Sequence, residues 1–243
     1  SLSVNPTSSI GTRTNGANMN VLGSMSLDEN KNRTANITAI PSLEAKFLKE
    51  IKERVITISC RGDSLTYGQT GDTSASDNRP PLEGHSAIRA GISYPESLYN
   101  TLSEVFENVE VINRGYSGDT TGTSLKRWTT SCNSSITFIM LGTNDAIQSV
   151  KLDVFINNYR AIIEQEISWG SLPIILLPTR YGSTSNKDLS NIRKAIINLA
   201  REYNIHFLDM LEILKNYSSG DICPSDNLHL NTLGYTILGK RLA

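Results

Sequence analysis

Short apolar runs alternate with longer amphipathic stretches along most of the chain. The first run is made mainly of β-branched residues and stops at Arg61-Gly62, which predicts a buried strand. Four more runs of similar length follow, and the predicted strands are residues 55–60, 109–113, 136–141, 173–178 and 205–208. Apolar residues spaced three and four positions apart predict helices at residues 41–54, 93–106, 119–128, 152–167, 189–203 and 231–242.

The alternation of these strands and helices predicts the fold class. Strands that are each followed by a helix form a parallel sheet with right-handed crossovers and helices on both faces. Residues 136–141 are apolar except for Thr137, as expected of a strand that is covered on both sides. We therefore expect an α/β protein, a flavodoxin-like three-layer sandwich with a five-stranded parallel sheet. Periodicity alone leaves the order of the strands open.

The first 40 residues have no sustained hydrophobic period and are rich in Ser, Thr, Asn and Gly. This composition predicts a polar N-terminal extension or linker in front of a domain at residues 41–243. Two interpretations stay open. The segment is either an irregular extension packed on the domain or a joint to another domain of a longer protein.

A second irregular stretch, residues 69–91, lies inside the predicted domain. Loops of this length in compact domains are usually functional lids or mobile segments. It leaves the strand end that carries Ser64, so we expect it to border the crevice there. Arg79, His85 and Arg89 are its candidates for substrate contact. A solvated surface excursion is the alternative for the loop, and a structural or surface role is the alternative for His85.

Composition narrows the possible partners. The net charge of −1 gives no reason to expect nucleic acid as a partner. The longest apolar run, residues 172–177, is too short to span a membrane.

The sequence has none of the common metal-ligand spacings, so we expect neither a metal nor another cofactor. Its three cysteines do not make a disulfide framework, although a bridge between Cys132 and Cys223 is conceivable. The oligomeric state is not predicted.

Residues with catalytic chemistry follow the strand ends. Ser64 follows the first strand, Gly118 and Asn144 follow the second and third, and Asp226 and His229 precede the last helix. The carboxyl ends of parallel strands meet at one edge of the sheet, so these residues should form one site. A serine hydroxyl needs a nearby base to act as a nucleophile, and histidine is suited to that task. An aspartate three residues before the histidine can orient the ring.

Four motifs in this order resemble the SGNH (GDSL) hydrolases, a family of esterases and deacetylases. They are G-D-S-L-T-Y-G at 62–68, N-R-G-Y-S-G-D-T at 113–120, G-T-N-D at 142–145 and D-N-L-H at 226–229. The resemblance implies strand order 2-1-3-4-5 and a catalytic triad of Ser64, His229 and Asp226. It also implies an oxyanion hole made by the N–H groups of Ser64 and Gly118 and the side-chain amide of Asn144.

The function that these motifs predict is a serine esterase that hydrolyses short-chain acyl esters through an acyl-enzyme on Ser64. We expect O-acetyl groups on a carbohydrate, because the polar stretch 69–91 suits a hydrated sugar better than a long acyl chain. The partner would be a small-molecule or polysaccharide ester, and we favour a secreted, cell-surface or virion-associated protein over a cytoplasmic one. The alternatives are a thioesterase or lysophospholipase on the same scaffold, and a carbohydrate-binding domain of a larger surface or phage-tail protein.

Overall fold

A five-stranded parallel sheet forms the centre of the protein. The computed structural model describes residues 27–73, 77–178 and 189–243. The strands are β1 Val55–Gly62, β2 Asn108–Gly115, β3 Ile136–Met140, β4 Leu172–Leu177 and β5 Phe207–Asp209. All neighbouring pairs are parallel, and the order is β2-β1-β3-β4-β5. The predicted fold class and strand order are therefore confirmed.

Helices cover both faces of the sheet. Within the described residues their bounds are α1 Leu27–Glu53, α2 Ser64–Tyr67, α3 Tyr94–Leu102, α4 Thr121–Arg127, α5 Thr143–Ile147, α6 Leu152–Ser168, α7 Ser190–Tyr203, α8 Met210–Leu214, α9 Ser219–Ile222 and α10 Thr232–Leu242. Helices α3 and α10 pack on each other, while α1, α4 and α7 each contact α6. Strands β3 and β4 lie between the two helical layers and are buried at every position, which explains their apolar sequences.

Helix α1 begins earlier than the sequence suggests. The prediction placed its start at Pro41, but the helix starts at Leu27 and Pro41 lies inside it. Proline has no backbone N–H to donate in a helix interior, so this start was unfavourable on local grounds. Tertiary contacts outweigh that cost: Ile37 and Ile40 are buried in the core, and Arg33 pairs with Glu202 at 2.9 Å. Residues 27–40 are thus helical rather than irregular, whereas residues 1–26 of the proposed extension lie outside the described residues.

Smaller differences occur at other ends of elements. Helix α3 ends at Leu102 instead of continuing to 106, and β1 and β2 are each longer than predicted and end at a glycine. The short helices α2, α5, α8 and α9 were not predicted, because four or five residues carry too little periodicity to be recognised. Cys132 and Cys223 are both free, so the conceivable bridge between them is not formed. No helix in the described part of the chain is long and apolar enough to cross a membrane.

Candidate active site

Ser64 stands at a sharp strand-to-helix turn. Strand β1 ends at Gly62, and α2 begins at Ser64. Asp63 caps this short helix, since its Oδ1 accepts a hydrogen bond of 3.0 Å from the N–H of Leu65. Burial raises the pKa of Asp63 to about 7, although the Leu65 amide acts in the opposite direction. Ser64 itself is only 7% exposed, so its hydroxyl is held in a fixed environment.

Two glycines allow the turn to pack against the sheet. A Cβ at Gly62 would lie 2.0 Å from Thr66 Oγ1, and one at Gly115 would lie 2.1 Å from the backbone N of Tyr67. The backbone of α2 therefore rests directly on the end of β2. The sequence by itself gives no specific requirement for a glycine at position 115. The only available signal was its position at the end of the strand that neighbours β1.

His229 bridges Ser64 and Asp226. Its Nε2 lies 2.9 Å from Ser64 Oγ, and its Nδ1 lies 2.6 Å from Asp226 Oδ2. In the tautomer with the proton on Nδ1, the ring donates to Asp226 and accepts from the serine hydroxyl. The second oxygen of Asp226 accepts hydrogen bonds from the backbone N–H groups of Leu228 and His229, at 3.0 and 2.8 Å. The loop thus folds around its own carboxylate and fixes the orientation of the imidazole.

The charge of Asp226 is well stabilised. Burial by itself raises the pKa of this carboxyl, but the hydrogen bonds and charge of His229 and the Leu228 amide lower it to about 2. The carboxylate is therefore ionised throughout the neutral range. The carboxylate can therefore accept the hydrogen bond of Nδ1 and hold the ring in the tautomer whose Nε2 is free to accept a proton.

The turns after β2 and β3 are fastened to each other beside Ser64. The N–H of Tyr116 donates to the carbonyl of Gly62 at 3.1 Å, and Asn144 Nδ2 donates to the carbonyl of Asp119 at 3.0 Å. The buried carboxylate of Asp145 accepts from the backbone N–H and hydroxyl of Thr121, at 3.0 and 2.6 Å. Burial raises the pKa of Asp145, and the Thr121 hydrogen bonds oppose that shift. These contacts hold the two turns at the same edge of the sheet.

Each of the three candidate oxyanion donors keeps at least one N–H without an acceptor among the described residues. Gly118 is exposed, has a φ of +85°, and has open space where a side chain would begin. Within the described residues, the backbone N–H groups of Ser64 and Gly118 donate to no other atom of the protein. Asn144 donates one of its two amide hydrogens to the carbonyl of Asp119. An N–H from each of these three residues remains for an external oxygen.

The described parts of the loop, residues 69–73 and 77–91, contain more hydrogen bonds than the sequence suggested. Arg79 and Arg89 form an isolated antiparallel bridge. The Arg79 guanidinium donates to both oxygens of Glu96, at 2.7 and 2.6 Å, and to the carbonyl of Ala90. Burial raises the pKa of Glu96, but Arg79 and Ser93 lower it to about 2. Arg79 thus fastens the loop to α3.

The other two substrate candidates of this loop have different surroundings. Arg89 donates through Nε to the carbonyl of Pro80 at 3.2 Å. The ring of His85 lies between those of Tyr67 and Tyr116, with centroid distances of 4.4 and 4.5 Å. Substrate contact by Arg79, His85 and Arg89 stays a prediction. The geometry shows that Arg79 and His85 are already engaged by the protein.

A serine, histidine and aspartate connected in this way at the carboxyl edge of a parallel sheet define the class of serine-dependent hydrolases. Comparison with known proteins gives the family: the GDSL-like Lipase/Acylhydrolase family matches residues 60–237. The chain belongs to that family and is an ester hydrolase. No curated protein matches the chain significantly.

Solved structures of similar fold agree with this assignment. A G-D-S-L family protein from Desulfitobacterium hafniense DCB-2 shares 24% identity and a TM-score of 0.59, covering 77% of this chain and 97% of its own. The lipase/acylhydrolase from Enterococcus faecalis shares 22% identity and a TM-score of 0.62, with coverages of 77% and 93%. Axe2, an acetylxylan esterase from Geobacillus stearothermophilus, shares 20% identity and a TM-score of 0.58, with coverages of 77% and 92%. At these identities the likeness shows the fold.

Gly71 offers a test of how strictly Asp226 must be placed. An alanine Cβ at position 71 would lie 2.6 Å from Asp226 Oδ2 and 2.7 Å from Cγ. The carboxylate is held by three hydrogen bonds, so it cannot move aside without leaving His229. Because small misplacements of catalytic groups are costly, we expect Gly71→Ala to lower kcat for p-nitrophenyl acetate about 10–100-fold.

The matched control for this substitution is Gly220→Ala. A Cβ at Gly220 meets only Ser218 Oγ, at an ordinary 3.7 Å. Gly220→Ala should leave kcat unchanged. A Gly71→Ala enzyme with wild-type kcat would show that Asp226 tolerates displacement.

Proposed function

We propose that the protein is a serine esterase that removes short acyl groups, above all O-acetyl groups, from a carbohydrate. The observation that carries the proposal is the continuous hydrogen-bond path from Ser64 Oγ through both ring nitrogens of His229 to Asp226. In this proposal Ser64 is the nucleophile, His229 the general base and acid, and Asp226 the residue that orients the ring.

In the acylation step, Ser64 Oγ attacks the carbonyl carbon of the ester while its proton passes to His229 Nε2. The carbonyl oxygen becomes an oxyanion, which the N–H groups of Ser64 and Gly118 and the amide of Asn144 stabilise. One such donor contributes about 3 kcal/mol to lowering the barrier. Collapse of this intermediate breaks the bond to the alcohol oxygen. His229 returns its proton to that oxygen, and the acyl group remains on Ser64.

In the deacylation step, a water molecule attacks the acyl carbonyl and gives a proton to Nε2. The same donors stabilise the second oxyanion. Its collapse breaks the bond to Ser64 Oγ, which regains the proton from His229 as the carboxylic acid leaves. Asp226 keeps its negative charge in both steps and stabilises the imidazolium.

The proposal of an acetylated carbohydrate rests on the surroundings of Ser64. Gly118 is exposed and borders open space, so a bulky alcohol such as a sugar can approach the oxyanion donors. The stretch at 69–91 is polar over most of its length. One structural neighbour is described as an acetylxylan esterase, which supports a sugar ester by analogy. An extracellular, cell-surface or virion location would bring such an enzyme to its polymer and is part of this proposal.

Acetate release distinguishes this function from the cleavage of long acyl chains. The purified protein is given acetylated xylan oligosaccharides and p-nitrophenyl esters of two to twelve carbons. We expect acetate from the oligosaccharides, and kcat/KM for the acetyl ester about tenfold or more above that for the octanoyl ester. A profile that peaks at long chains would favour the lysophospholipase or thioesterase alternative. Failure of a fluorophosphonate to label Ser64 would favour a binding domain without activity.

A further inference from the structure

Four planar groups form a continuous stack beside the candidate active site. The rings of Tyr67 and His85 are nearly parallel, at 9° and 4.4 Å between centroids. The rings of His85 and Tyr116 follow at 4.5 Å, inclined by 39°. The Arg127 guanidinium carbon lies 3.3 Å from the centroid of the Tyr116 ring. His85 is thus an inner member of the stack, covered on both faces.

The chain around His85 is attached to both tyrosines. The Tyr67 hydroxyl donates to the carbonyl of Ala87 and accepts from the N–H of Leu82, both at 3.0 Å. The Tyr116 hydroxyl donates to the carbonyl of Gly84 at 3.1 Å. Residues 82–87 therefore connect the two tyrosines by hydrogen bonds as well as by the His85 ring.

The two ends of this stack lie on the segments that carry Ser64 and Gly118. Tyr67 is the last residue of α2, which begins at Ser64. Tyr116 lies two residues before Gly118, and Arg127 donates to both oxygens of Asp119, the residue after Gly118, at 2.9 Å. The stack thus connects the segment of the nucleophile with the turn of the second oxyanion donor.

The surroundings of the His85 ring favour a structural role. Both its faces are covered, and its Nδ1 is buried without a hydrogen-bond partner among the described residues. Burial lowers the pKa of His85, and the positive charges of Arg127 and Arg89 lower it further, against the opposing charge of Asp119. A neutral ring that fills the gap between two tyrosines is suited to spacing them.

We propose that His85 is a positioning residue that holds the Gly118 turn at a fixed distance from Ser64 by stacking between Tyr67 and Tyr116. This inference rests on the proposed esterase mechanism. Its effect is on the transition state, because the position of the Gly118 N–H matters most when the oxyanion has formed. Replacement of His85 should therefore change kcat much more than KM.

The test compares two substitutions that differ in stacking. His85→Phe keeps a planar ring, whereas His85→Leu fills the space without one. With p-nitrophenyl acetate we expect His85→Leu to lower kcat about tenfold with KM within about twofold, and His85→Phe to stay within about threefold of wild type. A boronic acid, which becomes tetrahedral and anionic on a catalytic serine, should inhibit His85→Leu about tenfold more weakly. Val105→Ala, an exposed change outside the stack, should leave all these values unchanged.

Several results would overturn the inference. A raised KM with unchanged kcat in His85→Leu would show that His85 contacts the substrate. Equal kcat values for His85→Phe and His85→Leu would show that stacking is irrelevant. If His85→Leu does not fold, Tyr116→Leu decides, because it removes the ring on which His85 packs; an unchanged kcat and boronate affinity would contradict the inference. A wild-type protein without esterase activity would overturn the proposed function itself, which separates the two failures.

Discussion

Replacing Ser64 by alanine is expected to abolish ester hydrolysis almost completely. In the proposed mechanism, the variant lacks the Oγ that forms the acyl-enzyme, and His229 loses the hydroxyl from which it would take a proton. The loss of a nucleophilic serine in such a triad costs up to about 10⁶-fold in kcat, and the remaining oxyanion donors retain a small residual rate. We therefore expect kcat for p-nitrophenyl acetate to fall at least about 10⁴-fold, with the stability of the protein preserved. Initial rates and a thermal unfolding curve measure the two effects.

Ser59 provides the matched control for this substitution. Ser59 lies in β1, the strand that precedes Ser64. It is fully buried, and its hydroxyl has no hydrogen-bond partner among the described residues. Ser59→Ala removes the same atom without touching the reaction centre, so activity should remain at the wild-type level. Comparable rates for Ser64→Ala and wild type would exclude Ser64 as the nucleophile and with it the proposed mechanism.

The central part of the fold could be predicted from the sequence because its signals are local. Strands β3 and β4 are buried along their whole length, and their apolar runs are short and bounded by polar residues. The motif residues Ser64, Asp226 and His229 could be brought together in advance because parallel strands place their carboxyl ends at one edge. The strand order came from the resemblance to a family, since periodicity does not encode it.

The parts that escaped prediction depend on contacts between distant residues. Helix α1 extends through Pro41 because Ile37 and Ile40 are buried and Arg33 reaches Glu202, and none of this is visible in a polar segment. The stacking of His85 between two tyrosines joins residues from three separate segments. The position of its loop near Ser64 suggested His85 as a substrate contact, with a structural or surface role as the alternative, and the sequence gives no sign of the two tyrosines that pack on its ring.

A buried group of charges supports the turn that carries Ser64. Glu166 Oε1 lies 2.7 Å from Arg61 Nη1 and 3.5 Å from Arg114 Nη1, and all three side chains are at most 4% exposed. Thr137 donates to the other carboxylate oxygen at 3.0 Å. Arg61 also donates to the hydroxyl and carbonyl of Ser124 in α4, at 3.0 and 3.1 Å. This one carboxylate thus holds together β1, β2, β3 and α6, and through Arg61 it reaches α4.

Removal of the negative charge of Glu166 is expected to destabilise the fold strongly. Burial already lowers the pKa of Arg61, with Glu166 opposing that shift, so loss of the carboxylate removes the ion-pair partner that two buried cations share. Breaking a buried ion pair from one side typically costs about 3–5 kcal/mol, so we expect Glu166→Gln to lower the free energy of unfolding by about that amount. Unfolding in guanidinium chloride, followed by circular dichroism, measures the change.

The same substitution at an exposed ion pair shows how much of the loss of stability is due to burial of the charge. Glu212 lies 3.1 Å from Lys215, with side chains 70% and 62% exposed, and Glu212→Gln should cost no more than about 1 kcal/mol. Because Arg61 immediately precedes the Ser64 turn, Glu166→Gln should also lower kcat at temperatures where the protein is still folded. A Glu166→Gln protein as stable as Glu212→Gln would show that the two arginines find other partners or water, and that the carboxylate is not what holds these elements together.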